Sequence, residues 1–331
     1  MVRKRRMSKS ILVTGGAGFI GSNFVRYLLD EVSEFSHIVV MDSLTYAGHF
    51  DTIEDFMHDV TFYEGDIRNY DDCYKIMKNI DVVVNFAAES HVDNSILNPN
   101  IFVETNVLGV QNLLELSKEF GIERFVQIST DETYGSIKNG SFSEDDRLNP
   151  ASPYSSTKSS ADLLALSYYK TFGLDVVITR SANNFGPYQL PEKIIPLFIT
   201  NLIDDKQVPV YGDGKNIRDW IHVQDNCSGI GTALLRGESG EIYNIGHGNE
   251  ITNIKLTHKI LKLMGKPEIF IKYVTDRLGH DFRYSVNTNK IELLGWKSHS
   301  NFDNDLLQTI EWYENNEKWW RLKTNKGDKH G

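Results

Sequence analysis

Short, continuously apolar runs alternate with stretches of helical periodicity through about the first 180 residues. The run at 11–13 leads into a helical pattern over 18–31, and a second run follows at 37–40. The run at 60–63 leads into 70–79, and 82–84 leads into 100–120. The run at 125–128 leads through a loop into 152–172, and 176–178 closes the series. Runs that are apolar throughout, rather than alternating, belong to strands covered on both faces of a parallel sheet. The alternation therefore predicts an α/β fold built on a doubly wound parallel sheet with right-handed crossovers. Ser152 can cap the helix over 152–172, and Pro153 suits its first turn.

Beyond residue 180 the rhythm breaks. Pro187, Pro191, Pro196 and Pro209 crowd a short stretch, with Gly212-Asp213-Gly214 just beyond. A smaller mixed α/β C-terminal lobe is expected there. Its helices fall at 193–204, 253–264 and 304–319, and its short strands near 208–211 and 269–274. A strand over 241–245 is expected to return to the main sheet. The organisation predicted is a disordered extension over 1–9, then a sheet domain over 10–182 with returning segments near 215–247. The lobe takes 183–214 and 248–322, and a frayed polar tail 323–331.

Composition narrows the partners. Of the 331 residues, 40% are hydrophobic and 24% charged, a balance that supports a large core. Thirty-five Lys and Arg against 45 Asp and Glu leave a net charge of −10, which argues against nucleic acid or an anionic membrane as partner. No apolar run approaches the ~18 residues that cross a bilayer. Cys73 and Cys227 lack Cys-x-x-Cys neighbours, so no disulfide framework or thiolate metal site is expected, and a reducing cytoplasm suits the chain. The basic opening at 3–6 is followed by no long apolar stretch of the kind a secretory signal carries.

Thr14-Gly-Gly-Ala-Gly-Phe-Ile-Gly21 sets Gly15, Gly18 and Gly21 between the first strand and the first helix. In that context Gly15 permits a tight turn, Gly18 lets a pyrophosphate reach the helix N-terminus, and Gly21 allows close helix–sheet packing, as in a Rossmann sheet. Asp42 ends the second run. Its carboxylate can accept both hydroxyls of an adenosine ribose and would repel a 2′-phosphate, and no Arg or Lys follows in 43–48. NAD is therefore expected rather than NADP. Gly65-Asp66-Ile67 and Asn85-Phe-Ala-Ala-Glu-Ser90 follow the third and fourth strands, at the edge where open α/β sheets bind ligands; small Ala87 and Ala88 leave room for a flat dinucleotide.

Tyr154 and Lys158 stand at i and i+4, on one helix face. The spacing alone says little, because Tyr74/Lys78, Tyr134/Lys138 and Tyr211/Lys215 share it. Only Tyr154 opens a helix reached from the strand carboxyl ends. There Lys158 would lower the phenol's pKa and make it a usable base. Asp131 and Glu132 follow the fifth strand on the same edge, and two adjacent acids there can divide into an acid and a base.

These residues carry a resemblance. The chain is similar to the extended short-chain dehydrogenase/reductases and, among them, to the nucleotide-sugar 4,6-dehydratases that act on dTDP-glucose. The resemblance covers about residues 9–320. It rests on Ala88-Glu-Ser-His-Val-Asp93, Ser129-Thr-Asp-Glu132, Asn183-Asn-Phe-Gly-Pro-Tyr188, Pro191-Glu-Lys-Ile-Ile-Pro196, Ile217-Arg-Asp-Trp220 and Leu278-Gly-His-Asp281. Epimerases of the same scaffold typically carry Ser-Ser where this chain has Thr130-Asp131-Glu132.

The resemblance implies that Tyr154 takes the C4 hydroxyl proton while NAD takes the C4 hydride. Glu132 then removes the C5 proton as Asp131 protonates the departing C6 hydroxyl, Thr130 holds the C4 oxygen, and the hydride returns to C6. It implies further cofactor contacts at Phe19, Ile20, Ser43, Thr45, Asp66, Ile67, Phe86, Ala87, Ala88, Ser90, Thr105, Lys158 and Asn184. Substrate contacts are implied at Ser90, Thr130, Asn183, Lys193, Arg218, Asn253 and His280, with Lys193 and Arg218 as cations for the diphosphate. It also implies a homodimer pairing the helices over 100–120 and 152–172, and a product used in dTDP-rhamnose-type synthesis. His91, His222 and His247 read as loop or packing residues, and no metal is expected. Thr133 stands in place of the usual Val, Leu278 of Pro and Phe282 of Arg, and His222-Val-Gln-Asp225 replaces Tyr-Val-Glu-Asp. These departures leave the base open among thymine, uracil and cytosine. A 4-epimerase or decarboxylase and a silent NAD-sensing module are the alternatives.

Overall fold

The computed structural model describes residues 9–276, 281–299 and 301–327. Six strands arise where the apolar runs stand: β1 (Lys9–Thr14), β2 (Phe35–Asp42), β3 (Thr61–Glu64), β4 (Val82–Asn85), β5 (Arg124–Thr130) and β6 (Val176–Ser181). The extension expected over 1–9 therefore stops short of Lys9, which opens β1; residues 1–8 lie outside the described residues. Helices α1 (Phe19–Glu31), α2 (Tyr70–Met77), α3 (Val92–Leu97), α4 (Pro99–Val103), α5 (Val110–Phe120) and α6 (Pro153–Phe172) lie between them in sequence. The single helix expected over 100–120 is broken: a six-residue π-helical turn, Glu104–Gly109, separates α4 from α5.

The second half contributes β7 (Asn183–Phe185), α7 (Ile194–Ile203), β8 (Val208–Tyr211), β9 (Ile217–His222), α8 (Val223–Arg236) and β10 (Ile242–Ile245). It continues with β11 (Glu250–Thr252), α9 (Asn253–Leu263), β12 (Ile271–Val274), α10 (Asn289–Glu292), α11 (Phe302–Asn315) and α12 (Glu317–Gly327). The helix expected over 304–319 is two helices, parted at Asn316, whose backbone turns to φ −120 and ψ 34. Helical structure continues to residue 327, past the 323 where fraying was expected.

The main sheet runs in the order β10-β6-β5-β4-β1-β2-β3, and its recorded pairings of β1 with β2 and β4, β2 with β3, and β4 with β5 are parallel. β10 returns to the outside of β6, as expected. Ile11, Leu12 and Val13 are fully buried, as are Val83 and Val84, because helices cover both faces. One row breaks the apolar pattern. Thr14 stands opposite Asn85, and Asn85 opposite Gln127. Thr14 Oγ1 donates to Asn85 Oδ1 at 2.6 Å, and Asn85 Nδ2 donates to Gln127 Oε1 at 2.9 Å. These bonds satisfy polar groups whose burial would otherwise be costly.

Two compact units result. The first holds residues up to 129 together with 152–179 and 230–243; the second holds 130–151, 180–229 and 244 onward. This division differs from the expected boundaries in two ways. The segment after β5, 130–151, packs with the second unit, because Phe142 pairs with Val286 and Asn244 bonds to Phe142 and Glu144. The segment returning to the first unit is narrower than 215–247. The first unit's core joins Leu12, Val83, Leu113, Phe125, Ala161 and Ile178, among others. The second unit's core joins Phe185, Phe198, Trp220, Leu256, Ile310 and Trp320. No helix among the described residues is long and apolar enough to cross a membrane.

Candidate active site

In the first unit the glycine motif sits between β1 and α1. Gly15 has φ +67, its N–H donates to Met41 O at 2.8 Å, and a Cβ there would lie 2.6 Å from Ala87 N. A Cβ on Gly21 would lie 2.2 Å from Gly15 O, so the turn and the helix meet only if both are glycine. Gly18 caps α1 in an extended conformation, with no side-chain cap and no acid in the first turn. The positive end of the helix dipole thereby lacks an acid in its own first turn. Phe19 and Ile20 form that first turn and are half-buried.

Asp42 ends β2 and is buried. Its Oδ2 accepts from Ala17 N and its Oδ1 from Leu44 N, both at 2.9 Å. Burial pushes the carboxyl above its usual value, against the pull of those two bonds. Each oxygen keeps a second lone pair. A Cβ on Gly48 would lie 2.2 Å from Asp42 Oδ1, so the loop after β2 passes the carboxylate only as glycine. Ser43 and Thr45 flank it, exposed. Asp66 is gripped by Arg68, Nε at 2.9 Å and Nη2 at 2.5 Å; burial raises its pKa, but the guanidinium outweighs that and holds it below the usual range. Ile67 is buried, and its carbonyl accepts from Asn112 Nδ2 at 2.9 Å.

Phe86, Ala87, Ala88, Ser90 and Thr105 are half-buried. Asn106 is a residue the sequence reading missed. Its Oδ1 accepts from Glu89 N at 2.8 Å, and its Nδ2 donates to Glu89 O and to Thr157 Oγ1, both at 3.0 Å. It fastens the loop after β4 to α6. An Asn in the middle of an apolar helix pattern was the available signal. The open helix end, the buried carboxylate at the tip of β2 and the small side chains after β4 fit a dinucleotide without a 2′-phosphate.

α6 is started by a reciprocal bond between Ser152 and Ser155, with Pro153 at its first position. Tyr154 is half-buried, with its ring edge-on to Phe102 at 6.4 Å. One turn on, Lys158 is buried, and its Nζ donates to Ile128 O at 2.5 Å. Burial lowers the ammonium to about 8, and the charge of Asp162 opposes the fall. Asp162 Oδ2 accepts from Ser129 Oγ at 2.9 Å. The other Tyr/Lys pairs have no such setting. Lys78 Nζ lies over the Tyr74 ring at 4.5 Å, Tyr134 ends a short 3-10 turn, and Gly212 and Gly214 both have positive φ after Tyr211.

In the second unit, Asp131–Tyr134 forms that 3-10 turn, and Thr130 Oγ1 caps it by accepting from Glu132 N at 3.3 Å. Asp131 is 2% exposed; Thr130 Oγ1 donates to its Oδ1 at 3.3 Å, and its buried Oδ2 has no hydrogen-bond partner among the described residues. Burial pushes this carboxyl well above the usual range, helped by the charges of Glu132 and Asp219 and opposed by Arg218 and the Thr130 bond. Glu132 beside it is half-buried. One carboxyl is thus pushed toward its neutral form next to a second that is less buried, an arrangement in which an acid and a base can divide. The turn itself is anchored by Tyr134. Its ring stacks on Phe142 at 5.1 Å under the Arg180 guanidinium at 4.7 Å, and its hydroxyl donates to Asn244 Oδ1 at 2.8 Å. Thr133 Oγ1 donates to Thr130 O at 2.8 Å, a bond that valine could not make.

Asn183 and Asn184 lie on β7, and each has a buried Oδ1 with no hydrogen-bond partner among the described residues; Asn253 opens α9 with the same property. Lys193 caps α7, its Nζ 3.7 Å from Glu192. Arg218 departs from the expectation of an available cation. It is 5% exposed, donates to the carbonyls of Ile217, Phe282 and Asp281 at 2.7, 3.4 and 2.9 Å, and stacks on Tyr284 at 4.2 Å. The carboxylate of Asp219 instead accepts the N–H groups of His247, Gly248 and Asn249. His280, and the 278–280 part of its motif, lie outside the described residues. His91 Nδ1 accepts from Asn94 N at the start of α3, and His247 Nδ1 bonds Ser298 Oγ at 2.5 Å.

Comparison with known proteins identifies the chain's relatives. The sequence model of the family described as GDP-mannose 4,6 dehydratase matches residues 12–309. A low-salt glycan biosynthesis protein, Agl12 of Haloferax volcanii, is 50% identical over 92% of this chain and 98% of its own. A dTDP-glucose 4,6-dehydratase of Streptomyces niveus is 48% identical over 94% of both. The crystal structure of DesIV, a dTDP-glucose 4,6-dehydratase from Streptomyces venezuelae solved with NAD bound, superposes with a TM-score of 0.94. It is 47% identical and covers 95% of this chain and 99% of its own. The chain belongs to the GDP-mannose 4,6 dehydratase family, with dTDP-glucose 4,6-dehydratases among its relatives.

Proposed function

We propose that the protein is an NAD-dependent dTDP-glucose 4,6-dehydratase, converting dTDP-glucose to dTDP-4-keto-6-deoxyglucose and water. The observation that carries this reading is the Asp131–Glu132 turn: a buried carboxyl whose pKa burial raises, beside a more exposed one. An enzyme that only oxidised C4, or only inverted it, would have no use for a proton donor and acceptor at C6 and C5. The relatives that share most of the chain favour dTDP-glucose over other nucleotide sugars.

In this mechanism Tyr154 Oη takes the proton of the C4 hydroxyl, and Lys158 holds a ribose hydroxyl and steadies the phenolate. Bound NAD supplies the hydride acceptor for C4 and the donor for C6. The 4-ketone acidifies C5–H; Glu132 takes that proton while Asp131 gives one to the departing C6 hydroxyl, which leaves as water, and once C6 has regained its hydride Glu132 returns a solvent-exchanged proton to C5. Thr130 steadies the C4 oxygen. Asn183, Lys193, Arg218 and Asn253 bind the nucleotide diphosphate, with Arg218 first releasing some of its carbonyl contacts. Asp42 holds the adenosine ribose, and Asp66 lies among the cofactor contacts. The enzyme works in the cytoplasm, and its product enters deoxysugar synthesis of the dTDP-rhamnose type. A homodimer forms through the stretch 100–120 and α6, where Val103, Leu108, Leu163 and Phe172 stand exposed.

Incubation with dTDP-, UDP- and CDP-glucose in deuterated water tests the reading. A 4-keto-6-deoxy product bearing deuterium at C5, formed fastest from dTDP-glucose, is expected. Reduced nicotinamide accumulating in step with sugar consumed would overturn it.

A further inference from the structure

The segment between β7 and α7 is held in a backbone shape that its sequence does not favour. Gly186 has φ +145 and Tyr188 φ +69. Glycine accepts such angles, whereas a tyrosine keeps them only where its surroundings over-determine the conformation. The surroundings do so here. The Tyr188 ring packs on Trp312 of α11 at 4.8 Å and edge-on to Trp319 of α12 at 5.5 Å, and the two indoles meet at 5.3 Å.

The next residue is tied to the same helices. The Tyr313 hydroxyl donates to the Gln189 carbonyl, and Trp320 Nε1 donates to the Tyr313 carbonyl at 2.9 Å. Gln189 Nε2 in turn donates to the Asn184 carbonyl at 2.9 Å. A continuous line of bonds and ring contacts therefore runs from α12 to β7. The segment it fixes has Asn183 and Asn184 at one end and Lys193 at the other.

We propose that Tyr188, Trp312, Tyr313 and Trp319 form a positioning clamp that orders the 183–193 segment for the diphosphate of the nucleotide sugar. The C-terminal helices then set substrate affinity through that segment, without themselves touching substrate. The proposal rests on the dehydratase reading. Ordering the segment before the ligand arrives removes part of the entropy cost of association.

The test is Tyr188→Gly, which removes the ring while suiting the backbone angle, alongside Trp319→Ala and its conservative partner Trp319→Phe. Dissociation constants for dTDP and for NAD are measured on the full chain, with steady-state kinetics on dTDP-glucose. Losing the ordered segment is expected to weaken dTDP by about tenfold in Tyr188→Gly and Trp319→Ala. KM should rise by more than kcat falls, NAD affinity should hold, and Trp319→Phe should restore most of the loss. If Trp319→Ala does not fold, Tyr188→Gly decides alone; dTDP binding within twofold of the parent in that variant overturns the clamp. Hydrogen exchange of the 186–193 amides without ligand separates this from the functional reading. Exchange must quicken in Tyr188→Gly, and unchanged exchange overturns the clamp whatever the substrate. A parent protein that binds no dTDP overturns the dehydratase reading instead.

Discussion

Lys158 concentrates the residue-scale physics of the site. Its value of about 8 lies below the ordinary 10.5 because the ammonium is buried. The folded chain gives up this proton as pH rises through about 8, while the unfolded chain holds it to 10.5. The unfolded state thus binds more protons in that window, so stability rises with pH across it, and below 8 the buried charge destabilises the fold. Lys158→Met should therefore raise the melting temperature at pH 7, by part of a penalty on the order of 3 kcal/mol, while abolishing turnover. A lower melting temperature would contradict the argument. In the parent, kcat/KM should fall as pH rises above about 8, where the lysine loses its charge. Glu132→Gln changes little volume and deletes a base. It should cut turnover by about 10²–10⁴-fold and suppress deuterium entry at C5, with NAD affinity unaltered; normal C5 exchange would sink the assignment.

At the scale of elements, α6 depends on its first turn. Ser152 Oγ accepts from Ser155 N at 3.1 Å, and Ser152 N donates back to Ser155 Oγ at 3.1 Å. Ser152→Ala should cost about 1 kcal/mol, and because Tyr154 is the second residue of the helix, turnover should fall more than thermal stability suggests. Melting curves and kcat measured together check this. Much at this scale was legible in the sequence. Apolar runs marked β1, β2, β4, β5 and β6 because strands covered on both faces need no polar alternation, whereas β3, at the end of the sheet, has no fully buried residue despite its apolar run; the glycine motif was legible because its spacing is dictated by backbone contact. α8 escaped because Gly229 and Gly231 look like breakers. Gly231 is instead the point where the helix meets Tyr27, whose ring atom would lie 2.4 Å from an added Cβ. The break at Asn316 escaped because the apolar spacing carries on through it in Trp312, Trp319 and Trp320. The engagement of Arg218 with three carbonyls, and the support of the acid pair by Tyr134, join residues far apart in the chain. Nothing local signals either.

At the scale of the whole molecule, the proposed homodimer can be tested through its exposed apolar residues. Leu163 is 59% exposed on α6 and Leu108 50% exposed in the π-helical turn. Sedimentation should give a dimer for the parent, and a monomer once both are replaced by Glu; an unchanged mass for the double variant would count against these helices as the interface. That turn has a consequence of its own. Ahead of it, Phe102 packs by Tyr154; within it, Asn106 secures Glu89; behind it, Val110, Leu113 and Leu114 enter the core. The wider coil shifts the angular phase between the two stretches, so each can be mutated and repacked without rotating the other. Deleting a single residue there would restore an unbroken α-helix, whose one rigid phase could no longer satisfy catalysis and core together.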